Sequence, residues 1–167
     1  MKTDPTAIRT LRCRTVAKGR FHQLNYIRSL PPWPAMEDEP ESLLAEDIAP
    51  NASESLLAAL GSCLAVGIHA HAVARRIPIR RLELNLEANI ATTAGWGGDC
   101  GDPGPLGVDV VRVSVQLDAD ASREVLDALI KHATLWSPVA NALHNPVHLD
   151  VSLAQAVEGN DLPRAPA

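Results

Sequence analysis

Apolar and polar positions along this chain fall into three patterns, and each predicts a different kind of element. Residues 11–17 and 21–27 are β-prone stretches that flank Lys18-Gly19, a natural hairpin turn. Leu30-Pro31-Pro32-Trp33-Pro34 reads as a rigid connector, because proline cannot donate to a sheet ladder or continue a helix. An acidic patch, Glu37-Asp38-Glu39-Pro40-Glu41, precedes a long apolar run. Asn51 or Ser53 suits the N-cap of that run, and the helix is predicted to reach about Arg76. There Arg75 and Arg76 complement the dipole and Pro78 stops the helix. In residues 79–90, Leu82, Leu84 and Leu86 alternate with Glu83, Asn85 and Glu87, which predicts a strand with one wet face.

Residues 92–107 form a Gly/Pro/Asp-rich loop, and a second alternating strand places Val111, Val113, Val115 and Leu117 on one face. Its lead-in, Val108-Asp109-Val110, runs in the opposite phase, so Val110-Val111 marks a bulge or the true start of the strand. Ser122 heads a helix to about Leu135, whose apolar face is Val125, Leu126, Leu129, Ile130 and Ala133. A short turn or helix at 137–143 leads to a last strand near 147–153. The order of hairpin, long helix, two strands, helix and strand defines an α+β class.

A length of 167 residues fits one domain spanning 1–167, with a core at about 11–154 and a polar, Pro-containing tail at 157–167. Only 3% of residues are aromatic, so aliphatic side chains must fill the core, and the net charge of −5 argues against nucleic acid as partner. Residues 55–74 contain no Asp, Glu, Lys or Arg and could be mistaken for a membrane span. The polar flanks favour the buried centre of a globular fold, so no membrane partner is expected. The N-terminus has no apolar run of a secretory signal, and three cysteines are too few for a disulfide framework. Both features point to the cytoplasm.

Cys63 is the residue with the most chemical potential. It lies mid-helix, beyond reach of the dipole, so a reactive thiolate there needs a cation from another element. Arg20 and Arg28, in or beside the N-terminal hairpin, are the candidates. Cys13 shares a strand face with Leu11 and is read as a core residue, whereas Cys100 sits in a polar loop. His69 and His71 are two apart and point to different helix faces, so neither a metal site nor a cofactor is expected. The chain contains no phosphate-binding loop and no nucleophile elbow.

The run Asn51-x-x-Glu54-x-Leu56-Leu57-Ala58-Ala59-Leu60-Gly61-Ser62-Cys63 resembles the central-helix motif of the OsmC/Ohr family. Trp136-Ser137-Pro138-Val139-Ala140-Asn141-Ala142-Leu143 resembles that family's second motif, typically Cys-Pro-Val-x-Asn-x-Leu. The resemblance implies antiparallel sheets around a long buried central helix, in an intertwined homodimer with active sites at the subunit interface. It also implies that Cys63 is a peroxidatic cysteine that reduces organic or inorganic hydroperoxides in oxidative-stress defence. Arg20 or Arg28 would then activate the thiol, and Glu54 would orient that arginine. The family's resolving cysteine is replaced by Ser137, and its carboxylate position by Ser53 with Glu54 adjacent. A sulfenic acid at Cys63 must therefore wait for an external thiol reductant, or for Cys13 or Cys100. The pocket is expected to be lined by Leu60, Leu64, Trp136 and Val139. Two other functions fit the same motifs: a non-enzymatic protein that binds a small molecule in this fold, and a cysteine-based acyl or sulfur transferase.

Overall fold

The computed structural model describes residues 13–17, 23–27, 35–37, 48–91 and 107–153. Eight elements follow in the order β1 (Cys13–Ala17), β2 (Gln23–Ile27), β3 (Ala35–Glu37), α1 (Ala52–Ala74), β4 (Ile79–Ala91), β5 (Gly107–Ala119), α2 (Arg123–Trp136) and α3 (Pro138–His144). The expected hairpin is present: β1 and β2 pair antiparallel, with Thr15 opposite Asn25. The sequence pattern did not anticipate β3, which adds to the far edge of β2. The proline connector and the polar tail lie outside the described residues.

Helix α1 begins where a local polar pair forces it to begin. The Asn51 side chain accepts the Ser53 and Glu54 backbone N–H groups at 2.9 and 3.0 Å, and the Glu54 carboxylate accepts the Asn51 N–H at 2.9 Å. This capping box satisfies three donors that the first turn would otherwise leave unpaired. At the other end, Ile77 N–H reaches Ala72 O and Arg76 N–H reaches Val73 O, the paired bonds of a Schellman cap. That cap puts Arg76 at φ 59, in the left-handed region, before Pro78 can act.

Strands β4 and β5 form a long antiparallel ribbon in which Leu82, Leu84, Leu86 and Ala88 face Leu117, Val115, Val113 and Val111. This face was legible from alternation alone. A register shift leaves Asp109 without an opposite partner between Ile90↔Val108 and Asn89↔Val110, which is the bulge the phase change implied. At the far end, Arg80 is the extra residue, and its guanidinium clasps the Asp118 carboxylate. That hydrogen bond holds the Asp118 carboxyl below the usual carboxylate range.

The core lies between α1, α2 and the ribbon. Leu60, Leu64, Ile68 and Ala72 form one buried stripe at four-residue spacing on α1, and Leu129 and Ala133 on α2 meet it. Within the single chain, α1 is buried along one side. Val66 is 69% exposed and Val73 74% exposed, because helix and ribbon cover only one side of α1. The expected last strand is also absent: residues 146–153 carry neither helix nor strand and lie exposed. Alternation supplies a two-faced strand, but a strand also needs an edge to pair with, and none among the described residues does so.

Two glycines on α1 respond differently to an added methyl group. A Cβ at Gly61 would meet only the tip of the Leu86 side chain at 3.0 Å, which can swing away. A Cβ at Gly67 would meet Ala133 Cβ at 3.1 Å and Ala133 Cα at 3.4 Å, and neither can rotate aside. Gly61→Ala is therefore expected to raise stability by up to about 1 kcal/mol through helix propensity. Gly67→Ala is expected to lose that gain to forced separation of α1 and α2. Thermal melts of the two variants should rank in that order, and the reverse ranking would contradict the close approach.

Candidate functional site

On α1, Cys63, Gly67 and His71 follow one another at four-residue intervals and so share a face. That face meets α2 running the opposite way, with Ser137 at Cys63, Ala133 at Gly67 and His132 at His71. The small pair Gly67 and Ala133 lets the two helices approach. The seam therefore brings together, at one end, the two residues that the sequence motifs singled out.

Cys63 is half-buried and carries a free thiol. The Ser137 hydroxyl donates to Cys63 Sγ at 3.1 Å. Ser137 is only 3% exposed and caps α3, its Oγ accepting the Ala140 N–H at 3.1 Å. With a lone pair engaged by that amide, the hydroxyl proton points to the sulfur. Asn141 locks the corner between α2 and α3: its Nδ2 donates to Leu135 O at 2.9 Å and to Ser137 O at 2.8 Å. Asn141 is a part of the site that the sequence reading did not single out. The available signal was its place in the second motif, four residues after Ser137, where a side-chain amide can reach back one helical turn.

At the other end of the seam, His71 and His132 stack with ring centroids 3.7 Å apart and planes 7° apart, and His132 stacks in turn on Trp136. His71 Nε2 is buried without a hydrogen-bond partner. Desolvation, then the positive charges available to His132 and Arg75, push the His71 imidazole below its ordinary range. In the unfolded chain His71 regains an ordinary value of about 6.5. Between that value and the lower folded one the unfolded state binds more protons, so stability rises with pH there and falls on acidification. The melting temperature should therefore drop as pH falls below about 6.5, and less steeply in His71→Gln. Equal slopes in the two proteins would remove His71 as the cause.

The other anticipated residues divide three ways. Arg20, Arg28 and Cys100 lie outside the described residues. Glu54 is held in the capping box with Asn51, and Ser53 lies in the same first turn. Nine helical residues put Glu54 roughly 13 Å from Cys63 along the axis. Leu60 and Leu64 line an apolar cleft of about 830 Å³ between α1 and β5, walled also by Val111, Val113 and Ile130. Cys63, Trp136 and Val139 are not among the residues that line that cleft. Trp136 stacks on His132 yet remains 75% exposed, and Val139 is half-buried at the start of α3. Cys13, expected in the core, is exposed on β1, where the first sheet has no extensive packing against the described helices. His69 and His71 do face apart: His69 is exposed and contacts Ala65 O. Among the described residues no three metal-ligating side chains converge.

A helix-borne thiol at a two-helix seam, beside a long antiparallel ribbon, matches a known α+β class. The family model for OsmC-like protein matches residues 45–152, and the chain belongs to that family. Its fold is that of an OsmC like protein from Mycoplasma pneumoniae, with a TM-score of 0.67 at 15% identity over 81% of this chain and 88% of that one. An OsmC-like protein of unknown function from Vibrio cholerae gives 0.61 at 12% identity, over 81% and 94%. An organic hydroperoxide resistance protein OsmC from Legionella pneumophila gives 0.52 at 19% identity, over 83% and 91%. No curated protein matches the sequence.

Proposed function

We propose that the protein is a cytoplasmic, thiol-dependent peroxidase that reduces hydroperoxides through Cys63 in oxidative-stress defence. The observation that carries this reading is the Ser137 hydroxyl aimed at Cys63 Sγ at 3.1 Å, in a chain of the OsmC-like family. An O–H donor on sulfur is a contact that strengthens when the sulfur becomes anionic, as a nucleophile must. The hydroperoxide-resistance relative from Legionella supports a peroxide as substrate.

In the reaction, a lone pair of the Cys63 thiolate forms an S–O bond to the outer peroxide oxygen and the O–O bond breaks. The alkoxide takes a proton from water and leaves as the alcohol, so sulfur loses two electrons and the peroxide gains them. An external thiol then attacks the sulfenic sulfur, releasing water and leaving a mixed disulfide. A second thiol displaces Cys63 as the thiolate and departs as the oxidised dithiol. The family resemblance gives Arg20 or Arg28 as the source of positive charge for the thiolate, and Glu54 as the carboxylate that would orient that arginine across a dimer.

The partner in this reading is a second copy of the chain. Val147, Leu149, Val151 and Leu153 alternate along an exposed, unpaired segment, and the apolar cleft by α1 is open. Both features suit an intertwined dimer, and light scattering should give twice the mass of one chain. Reduced protein mixed with cumene hydroperoxide should gain one oxygen atom at Cys63 by intact mass and peptide mapping. A thiol that stays unoxidised would end the peroxidase reading. A second reading, binding of a small apolar molecule without chemistry, draws on the 830 Å³ cleft, whose walls do not include Cys63. Saturable binding of an apolar fluorophore that leaves the thiol unchanged would favour it.

A further inference from the structure

We propose that Ser137 is the positioning residue for the Cys63 sulfur, a role that rests on the peroxidase reading and adds a hydrogen-bond relay to it. The relay runs from Ala140 N–H to Ser137 Oγ, and from the Ser137 hydroxyl proton to Cys63 Sγ, each link at 3.1 Å. Its origin is rigid. Ser137 N–H bonds Thr134 O at the end of α2, and Ser137 O receives both the backbone N–H and the side-chain amide of Asn141. The hydroxyl is buried, so no water competes for its proton from the solvent side. Rotation about the Cα–Cβ bond offers the sulfur alternative staggered positions, and this donor selects one of them.

The arrangement also explains what a serine can do where a second thiol would close a disulfide. The hydroxyl cannot be oxidised by the sulfenic acid, so it stays a donor through the whole cycle. It holds the sulfur in the same orientation as thiolate, sulfenic acid and mixed disulfide. Resolution then falls to the incoming thiol, which meets a sulfur already pinned on its Ser137 side.

The test compares Ser137→Ala, Ser137→Gly and Ser137→Thr with the wild type. It uses two reactions of Cys63: alkylation by iodoacetamide and single-turnover oxidation by cumene hydroperoxide. Loss of a hydrogen bond to a group that carries charge should slow both reactions roughly 10-fold in the two variants without a hydroxyl. Ser137→Thr, which keeps the donor, should restore them. Glycine is tolerated at an N-cap, so Ser137→Gly keeps the fold if alanine does not. As a check on geometry, peroxide should drive a Ser137→Cys variant to a disulfide with Cys63 instead of leaving a stable sulfenic acid. Unchanged rates in the Ala and Gly variants, or no rescue by threonine, would overturn the assignment. A wild type that is inert to peroxide but whose alkylation still slows on loss of the hydroxyl would remove the peroxidase reading and leave the positioning role standing.

Discussion

Cys63→Ser is expected to abolish peroxide consumption, lowering the rate by at least about 10³-fold to the level of buffer with thiol alone. That factor corresponds to about 4 kcal/mol of transition-state stabilisation, the difference between a sulfur nucleophile and a hydroxyl that stays protonated at neutral pH. The substitution suits the site because it is nearly isosteric. Serine at 63 can still meet the Ser137 hydroxyl across the α1–α2 seam, so lost activity will not reflect a lost fold. Circular dichroism and the melting curve should match the wild type, whereas coupled peroxide consumption should not. The other thiols supply the counter-test. Cys13 is exposed on β1, far from the motif helix in sequence, and Cys13→Ser should leave the first oxygen transfer unchanged, as should Cys100→Ser. If Cys63→Ser kept its rate and one of the other two lost it, the nucleophile would have been misassigned.

Leu129→Ala is expected to cost about 2–5 kcal/mol of stability. Leu129 is fully buried and, with Ile68, is the largest side chain in the described core to be so. It sits where α2 meets the buried stripe of α1. Removing three carbons there leaves a cavity that two helices held at the Gly67–Ala133 contact cannot collapse to fill. For a protein with about 5–15 kcal/mol in total, that is a large share of its stability. Chemical denaturation at fixed protein concentration is the measurement, since an oligomer couples its stability to concentration. Lys131→Ala, on the exposed side of the same helix, should stay within about 0.5 kcal/mol of the wild type. Equal effects at the two positions would mean that α2 does not bury the face assigned to it.

The two predictions separate chemistry from scaffold along a single seam. One end of it holds the thiol, the middle sets the helix spacing and the other end holds the stacked imidazoles. A change at Gly67 or His71 therefore reaches Cys63 through helix separation, without touching the sulfur. Such variants should show altered stability first and altered thiol reactivity second.

Local signals in the sequence were enough to define most elements. Alternation in residues 82–86 and 111–117 named the apolar, half-buried face of the ribbon, and the phase change read at Val110-Val111 as a bulge or a strand start corresponds to a bulge at Asp109. The helix start was legible to within two residues, as Asn51 or Ser53, and Asn51 is the cap; Cys63 was legible as part of a family motif. These succeed because capping, turn chemistry and side-chain period depend on residues within one or two turns of each other. Only the tertiary structure decided that Glu54 is engaged with Asn51, that Trp136 stacks on His132, and that Cys13 is exposed. The bond between Ser137 and Cys63 belongs to the same group. It spans 74 residues of chain and lies on the same α1–α2 seam as the close approach of Gly67 to Ala133. A sequence pattern names which faces are apolar, but the distance between two polar atoms on different helices is settled by packing, which sums contacts from every element at once.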